Sequence, residues 1–415
     1  MNILVIGSGG REHAVVKALA ESPAKPKLFC APGNAGIAQL AQILNLNIKD
    51  HSQVLEASTR EKIDLVFIGP EDPLVDGLAD TLRQKNISVF GPSKEAAQLE
   101  GSKIFAKAFM KKAGVPTAEA FEVSTVEAAL SHAKSFTPPY ILKADGLAAG
   151  KGVFICKTSA ELKLAAQFLF ETKSLGAAGH SALLEKNLPG YEISFLILTN
   201  GEDFAALPLA QDHKRLLDDD KGPNTGGMGT FAPMNIDQVL YDKIIQRVVA
   251  PSVQQLKKEK FVFRGVLFIG LMIVDNEPYV LEYNVRFGDP ETQVILPLIQ
   301  NDLADIFLKL SHGEIQPLNF KKQASFCIVN AAPGYPDQPQ KNIAIELPSD
   351  HAQAYVLHAG TALDSAGNLV SNGGRVLNIV AIADTPESAR KSAYEFNTKV
   401  KMQGRQFRND IGLPK

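Results

Sequence analysis

Through the first ninety residues, short apolar runs alternate with stretches whose apolar positions recur at helical spacing. NILVIG (2–7), KPKLFCA (25–31), IDLVFIGPE (63–71) and ISVFGP (87–92) predict strands, while EHAVVKALAES (12–22) and DGLADTLRQK (76–85) predict helices. This alternation predicts a doubly wound parallel sheet. Gly7, Gly69 and Gly91 then fall at strand carboxyl ends, where such sheets bind ligands. SKIFAKAFMKKAG (102–114) reads as a long helix closed by Gly114, with Pro116 just beyond. From about 117 to 192 the pattern is that of a compact α+β unit: strands at PPYILKA, GVFICKT, HSALLEKN and YEISFLILT, and a helix at ELKLAAQFLFETK. A helix around 237–257 and the apolar strands VLFIGLMIV and PYVLEYNV follow. The last ninety or so residues turn to strands and turns before a final helix at 386–400. The expected division is 1–102, 103–322 with a sub-unit at about 117–192, and 323–415.

Glycine-rich stretches punctuate this order. KADGLAAGKGV (143–153) is no P-loop: only three residues separate Gly146 from Gly150, and Lys151 is followed by Gly152 instead of Ser or Thr. It joins strand to strand, so it reads as a mobile hairpin flap with Lys143 at its base. GSGGREH (7–13) resembles a dinucleotide fingerprint, but Glu12 takes the third glycine position and no acid ends the second strand. A turn at a helix N-terminus still favours an anion. A phosphate or phosphosugar site with Arg11 adding charge is therefore expected, a purely structural turn being the alternative.

In LEYNVRFGDPET (281–292), strand alternation puts Glu282, Asn284 and Arg286 on one face. A carboxylate beside an amide oxygen suits Mg²⁺, and Arg286 beside them suits a carboxylate or phosphate. Asp289-Pro290 reads as a helix N-cap followed by Pro at the first helical position. QDHKRLLDDDKGPNTGGMG (211–229) sets Asp212 and a cluster of charges beside a glycine loop that lets backbone approach a ligand; His213 reads as structural.

Composition narrows the class. With 45% hydrophobic and 21% charged residues the chain is globular, and a net charge of -2 argues against a general nucleic-acid binder. The longest apolar run, 266–274, is far short of the ~20 residues that span a bilayer. No basic region precedes the opening strand, and Cys30, Cys156 and Cys327 are scattered, so a cytoplasmic protein without disulfides is expected. No heptad or exposed apolar helix face stands out, so a monomer is expected.

GSGGREHA, GPEDPL, QLEGSKIFAKAFM, LKADGLAAGKG, QDHKR, GPNTGGMG and EYNVRFGDPETQ, in this order and followed by HAGT and GGRVL, resemble the glycinamide ribonucleotide synthetase family of ATP-grasp ligases. The resemblance implies an N-terminal doubly wound sheet, a central ATP-grasp fold with a mobile lid at about 117–192, and a small C-terminal α+β domain. It implies ATP-dependent joining of glycine to 5-phosphoribosylamine through a glycyl phosphate, in purine synthesis, with Mg²⁺ or Mn²⁺ as cofactor. By the same resemblance Lys107 and Lys143 contact ATP phosphates, Gly150 belongs to the ATP-binding residues, Glu185 lies on the strand passing the adenine, and Glu192 accepts from the ribose. Glu282 and Asn284 bind the metal. Arg286, Asp212 and the Thr225–Gly226–Gly227 backbone face glycine and the transferring phosphate, and Gly9, Gly10 and Glu71 face the phosphoribosylamine. Glu185-Lys186-Asn187-Leu188 departs from the family's Glu-Glu-Phe-Leu, Val285 replaces a frequent Cys, and VLFIGLMIV carries no second carboxylate for metal. Another ATP-grasp carboxylate–amine ligase, a nicotinamide-dependent oxidoreductase and a non-catalytic nucleotide sensor are the alternatives; the broken fingerprint counts against the oxidoreductase, and intact Lys107, Lys143, Glu282 and Asn284 against the sensor.

Overall fold

A computed structural model of the chain describes residues 1–148, 152–172, 176–350 and 353–413. The opening stretch forms a five-stranded parallel sheet. Its spatial order is Gln42–Ile43, Lys27–Pro32, Asn2–Gly7, Leu65–Ile68, Ser88–Phe90. Ile3 to Ile6 and Leu65 to Ile68 are buried throughout, as strands covered on both faces must be. Helix Gly10–Ala20 follows the first strand. The expected helix at 76–85 is split: Gly77, at φ 96°, closes Glu71–Asp76 and opens Leu78–Arg83. Helix Lys103–Ala113 stands as read, capped by Ser102 at one end and by left-handed Gly114 at the other.

Strands Ala120–Val123, Ala182–Lys186, Tyr140–Ala144 and Val153–Cys156 form a separate antiparallel sheet, the lid, with helices Val126–His132 and Ser159–Phe170 on its own small core. Tyr140–Ala144 and Val153–Cys156 pair antiparallel, Lys143 opposite Val153. The strands flanking the stretch 143–153 therefore pair with each other, as its strand-to-strand position predicts, while residues 149–151 lie outside the described residues. A second antiparallel sheet, the body, runs Phe204–Ala206, Tyr191–Thr199, Gly265–Val274, Glu277–Asn284. Helices Lys103–Ala113 and Ala250–Glu259 share its core.

The last sheet is assembled from distant parts of the chain. Gln211–Asp212 and Gly229–Ala232 pair into it beside Ala324–Ala331, Arg375–Ala383 and Ala354–His358, with helix Pro386–Asn397 against it. The residues bracketing the 213–228 loop are thus held by the final third of the chain. Below, Phe67, Phe90, Phe287 and Phe307 stack across the seam between the first sheet and the body, Phe90 and Phe307 with centroids 4.6 Å apart. Among the described residues no helix is long and apolar enough to cross a membrane.

The first helix meets the last sheet at two buried histidines. The His358 N–H donates to His13 Nδ1 at 2.8 Å. Burial, with His358 beside it, pushes His13 down to about 3, and burial pushes His358 down to about 4. Unfolded histidine titrates near 6.5. Because both folded values lie lower, their stabilisation is complete above about pH 6.5 and is lost as pH falls below it. Between pH 7.5 and 5 each histidine is expected to remove about 2 kcal/mol. Urea midpoints across this range should fall steeply for the native chain and less steeply for a His13→Gln/His358→Gln variant; equal slopes would refute the assignment.

Candidate active site

Lid and body meet over a buried carboxylate. Glu185, on the lid strand Ala182–Lys186, sits 2.7 Å from Lys143 Nζ and 2.9 Å from Lys107 Nζ. The two lysines come from different elements: Lys143 from the hairpin strand Tyr140–Ala144, Lys107 from helix Lys103–Ala113. Burial alone would raise the Glu185 carboxyl, but the two ammonium groups outweigh it and hold it below the usual range. Lys107 also donates to Thr117 Oγ1 and the Ala118 carbonyl. Lys143 donates to the Leu281 carbonyl at 3.2 Å, which joins the lid to the body strand Glu277–Asn284. A β-bulge makes that carbonyl available. Gly270 faces Glu282 and Leu271 faces Val280, leaving Leu281 without a cross-strand partner.

One residue further on stands Glu282, opposite Gly270, where a Cβ would lie 3.2 Å from the Glu282 Cγ. Burial pushes Glu282 up, but Lys214, Lys143 and Lys103 outweigh it, with an Asn284 hydrogen bond, and keep it low and ionised. Arg286 follows the strand and bonds Asn284 Oδ1 at 3.3 Å, so the three residues do converge. Arg286 also bridges two carboxylates, Glu100 at 2.8 Å and Glu71 at 3.2 Å. Their environments separate them. Burial favours the neutral acid in both; Arg286 and Arg11 overcome it at Glu71, held at about 2, whereas at Glu100 burial wins and the carboxyl reaches about 7. Glu192 on the strand Tyr191–Thr199 pairs with Lys214 at 2.5 Å, which puts Lys214 between Glu192 and Glu282.

Asp289 is not a helix N-cap. Helix Glu291–Ile295 is preceded by Pro290, and the Asp289 carboxylate instead takes Gln293 Nε2 at 2.7 Å and Arg375 Nη2 at 3.4 Å. Arg375 draws this carboxylate away from the local helix end because it is a half-buried cation that favours a counter-charge. It also donates to the Gly226 carbonyl.

The glycine loop is already spoken for. Thr225 N–H donates to the Lys214 carbonyl, Gly226 N–H to Tyr335 Oη, and Gly227 N–H to Thr225 Oγ1. The three N–H groups expected to face substrate are therefore engaged within the protein. Asp212 lies against Gly227, where a Cβ would be 2.7 Å from Oδ1. Burial and the nearby Glu291 raise the Asp212 carboxyl well above its usual range against Lys214 and Arg375. Glu291 accepts from Ser194 Oγ at 2.8 Å. His213 is buried and accepts from the Gly412 N–H, the structural role expected of it.

The first turn also corrects expectation. Glu12 folds back to take the Gly9 N–H at 2.6 Å, and a Cβ at Gly69 would lie 2.1 Å from its Oε1. Its carboxylate thus lies at the switch point of the parallel sheet, on the Gly9 N–H beside which an anion was expected. Arg11 adds no free charge: its Nε pairs with Glu12 at 2.6 Å and its Nη1 donates to the Phe287 carbonyl. Gly10 packs on Asn378 and Gln293, and Glu71 reaches Arg286, so this turn borders the Arg286 and Arg375 cluster. Gly150 and Lys151 lie outside the described residues.

Sequence reading missed Glu100, Glu291, Arg375 and Tyr335 as site residues. Glu291 and Arg375 stood in quoted motifs, but helical spacing and strand alternation do not reveal a partner eighty residues away. Among the described residues no cluster of three or more His, Cys, Asp or Glu forms a metal cage. Glu282 and Asn284 nevertheless fit a hard cation that takes its other ligands from phosphate and water, since one is ionised and the other offers an amide oxygen.

A lid and a body that each bring a lysine to one buried carboxylate, Glu185, beside the strand of Glu282 and Asn284 fit the ATP-grasp class. The chain matches the phosphoribosylglycinamide synthetase N domain over residues 1–100, the ATP-grasp (A) domain over 101–292 and the C domain over 325–414, and it belongs to that family. Similar curated proteins are phosphoribosylamine–glycine ligases of Caldanaerobacter subterraneus, 40% identical over 99% of both chains, and of Agrobacterium fabrum, 42% identical over 99% of this chain and 98% of that one. The crystal structure of phosphoribosylamine–glycine ligase from Thermotoga maritima is 36% identical, with a TM-score of 0.88 over 99% of this chain and 100% of that one. The biotin carboxylase domain of a Hydrogenobacter thermophilus 2-oxoglutarate carboxylase shares the fold, at 19% identity and TM-score 0.74.

Replacing Glu185 by Leu leaves two buried ammonium groups facing each other. The expected loss is about 3–5 kcal/mol of unfolding free energy, read from urea denaturation, and a loss under about 1 kcal/mol would refute the clamp.

Proposed function

We propose that the chain joins glycine to 5-phosphoribosylamine, cleaving ATP to ADP and phosphate, through a glycyl phosphate. Family membership supports the reaction. The observation that carries the mechanism is the convergence of Lys143, Glu282, Asn284 and Arg286 at one strand end. The chemistry brings a carboxylate to a triphosphate, and two anions meet only where cations cancel their repulsion.

In this reading Lys107 and Lys143 hold the ATP phosphates, and Gly150 contributes to ATP binding. Glu185 keeps both ammonium groups in place along the adenine-bearing strand, and Glu192 accepts from the ribose beside Lys214. Glu282 and Asn284 hold Mg²⁺ or Mn²⁺, which when bound neutralises charge on the phosphate oxygens. A glycine carboxylate oxygen attacks the γ-phosphorus, and the bond to the bridging oxygen breaks, releasing ADP. Arg286 faces the carboxylate and the phosphoryl group. The amine nitrogen then attacks the acyl carbon and gives up one proton, the carbon–oxygen bond breaks, and phosphate leaves carrying one glycine oxygen and that proton. Asp212, its affinity for protons raised, faces glycine with Thr225, Gly226 and Gly227; Gly9, Gly10 and Glu71 face the phosphoribosylamine. No side chain serves as a covalent nucleophile.

ADP release in the presence of Mg²⁺ should require both glycine and phosphoribosylamine. Release that is indifferent to glycine, or that needs a different carboxylate, would sink this reading in favour of another ligase. Glu282→Ala should lower Mg²⁺-dependent kcat by about 100-fold or more with the fold retained by circular dichroism; near-normal turnover would remove Glu282 from the metal site.

A further inference from the structure

Asp145 lies two residues beyond Lys143, where the hairpin leaves the lid sheet, and its carboxylate crosses to the body. Oδ1 accepts from the Ile104 N–H at 3.0 Å, and the Ser102 hydroxyl donates to both carboxylate oxygens at 3.0 and 3.2 Å. These donors are the N-terminal end of helix Lys103–Ala113, the helix that carries Lys107. Lys103 adds a bond from Nζ to the Gly146 carbonyl at 3.2 Å. On the lid side the Asp145 N–H donates to the Ser181 carbonyl at 2.9 Å, next to the strand of Glu185.

The helix does not need Asp145 to be capped. Ser102 is already its N-cap, accepting from the Phe105 N–H at 3.0 Å. A second acceptor arriving from forty-one residues away does something a local cap cannot: it ties two separately folded units together. A carboxylate at the positive end of a helix is favoured there. Lys107 and Lys143 are thus spanned twice, once by Glu185 between their ammonium groups and once by Asp145 between the elements that carry them.

We propose that Asp145 is a positioning residue for ATP. It latches the base of the hairpin to the Lys107 helix and so sets the spacing of the two phosphate-binding lysines. The inference rests on the reading that Lys107 and Lys143 contact ATP. In the full chain, Asp145→Ala is expected to weaken binding of a Mg²⁺-bound, non-hydrolysable ATP analogue, and to raise KM for ATP, by about 10-fold, while KM for glycine stays within about 2-fold. Asp145→Asn, whose amide oxygen still accepts from Ile104, should recover most of the affinity. Should Asp145→Ala fail to fold, Ser102→Gly removes the hydroxyl that grips Asp145 while leaving an acceptable N-cap, and a smaller loss of affinity for the analogue is expected. Unchanged affinity in Asp145→Ala or in Ser102→Gly, or a parallel rise in every KM, overturns the latch. A native chain that binds the analogue but releases no ADP with glycine overturns the activity instead, and the affinity comparison still decides the latch.

Discussion

Glu185 is the constraint on which the rest of the site depends. Two lysines from separately folded units lie within 3 Å of one carboxylate that is 3% exposed. Neither ammonium group would remain there alone, because a buried unpaired charge costs several kcal/mol. The carboxylate stabilises both cations and holds them close together. It also decides where the lid rests, since Lys143 goes on to the bulge carbonyl of Leu281 beside Glu282.

Charge compensation of this kind repeats outward. Lys214 stands between Glu192 and Glu282, Arg286 between Glu71 and Glu100, and Arg375 between Asp289 and the Gly226 carbonyl. Each pair joins different parts of the chain, so the site is built where they meet. The last third of the chain is part of this machinery: Tyr335 and Arg375 hold the glycine loop, and the clamp of Arg408 on Asp220 and Asp410 holds the hairpin Arg215–Leu217 and Lys221–Asn224 behind it.

Much of this was legible in the residues. Period-two and period-3.6 patterns marked the parallel sheet, the paired strands on either side of the 143–153 stretch and the helix carrying Lys107, because these depend on local apolar spacing. Strand alternation also brought Glu282, Asn284 and Arg286 together. What escaped were partnerships across the chain. Asp289 before Pro290 has the chemistry of an N-cap, yet it answers Arg375. Glu12 breaks a glycine fingerprint, and only packing shows that its carboxylate lies at the switch point, on the Gly9 N–H. The glycines at 226 and 227 announce close approach, but not that Tyr335 and Thr225 would already hold their N–H groups.

The proposed chemistry has carboxylate meet phosphate in this charge-compensated site and form an acyl phosphate before the amine nitrogen attacks. Glycine labelled with ¹⁸O in both carboxylate oxygens tests it most directly. Mass analysis of the released phosphate should find one labelled oxygen per product formed, the other remaining in the new amide. Unlabelled phosphate accompanying product would contradict the account.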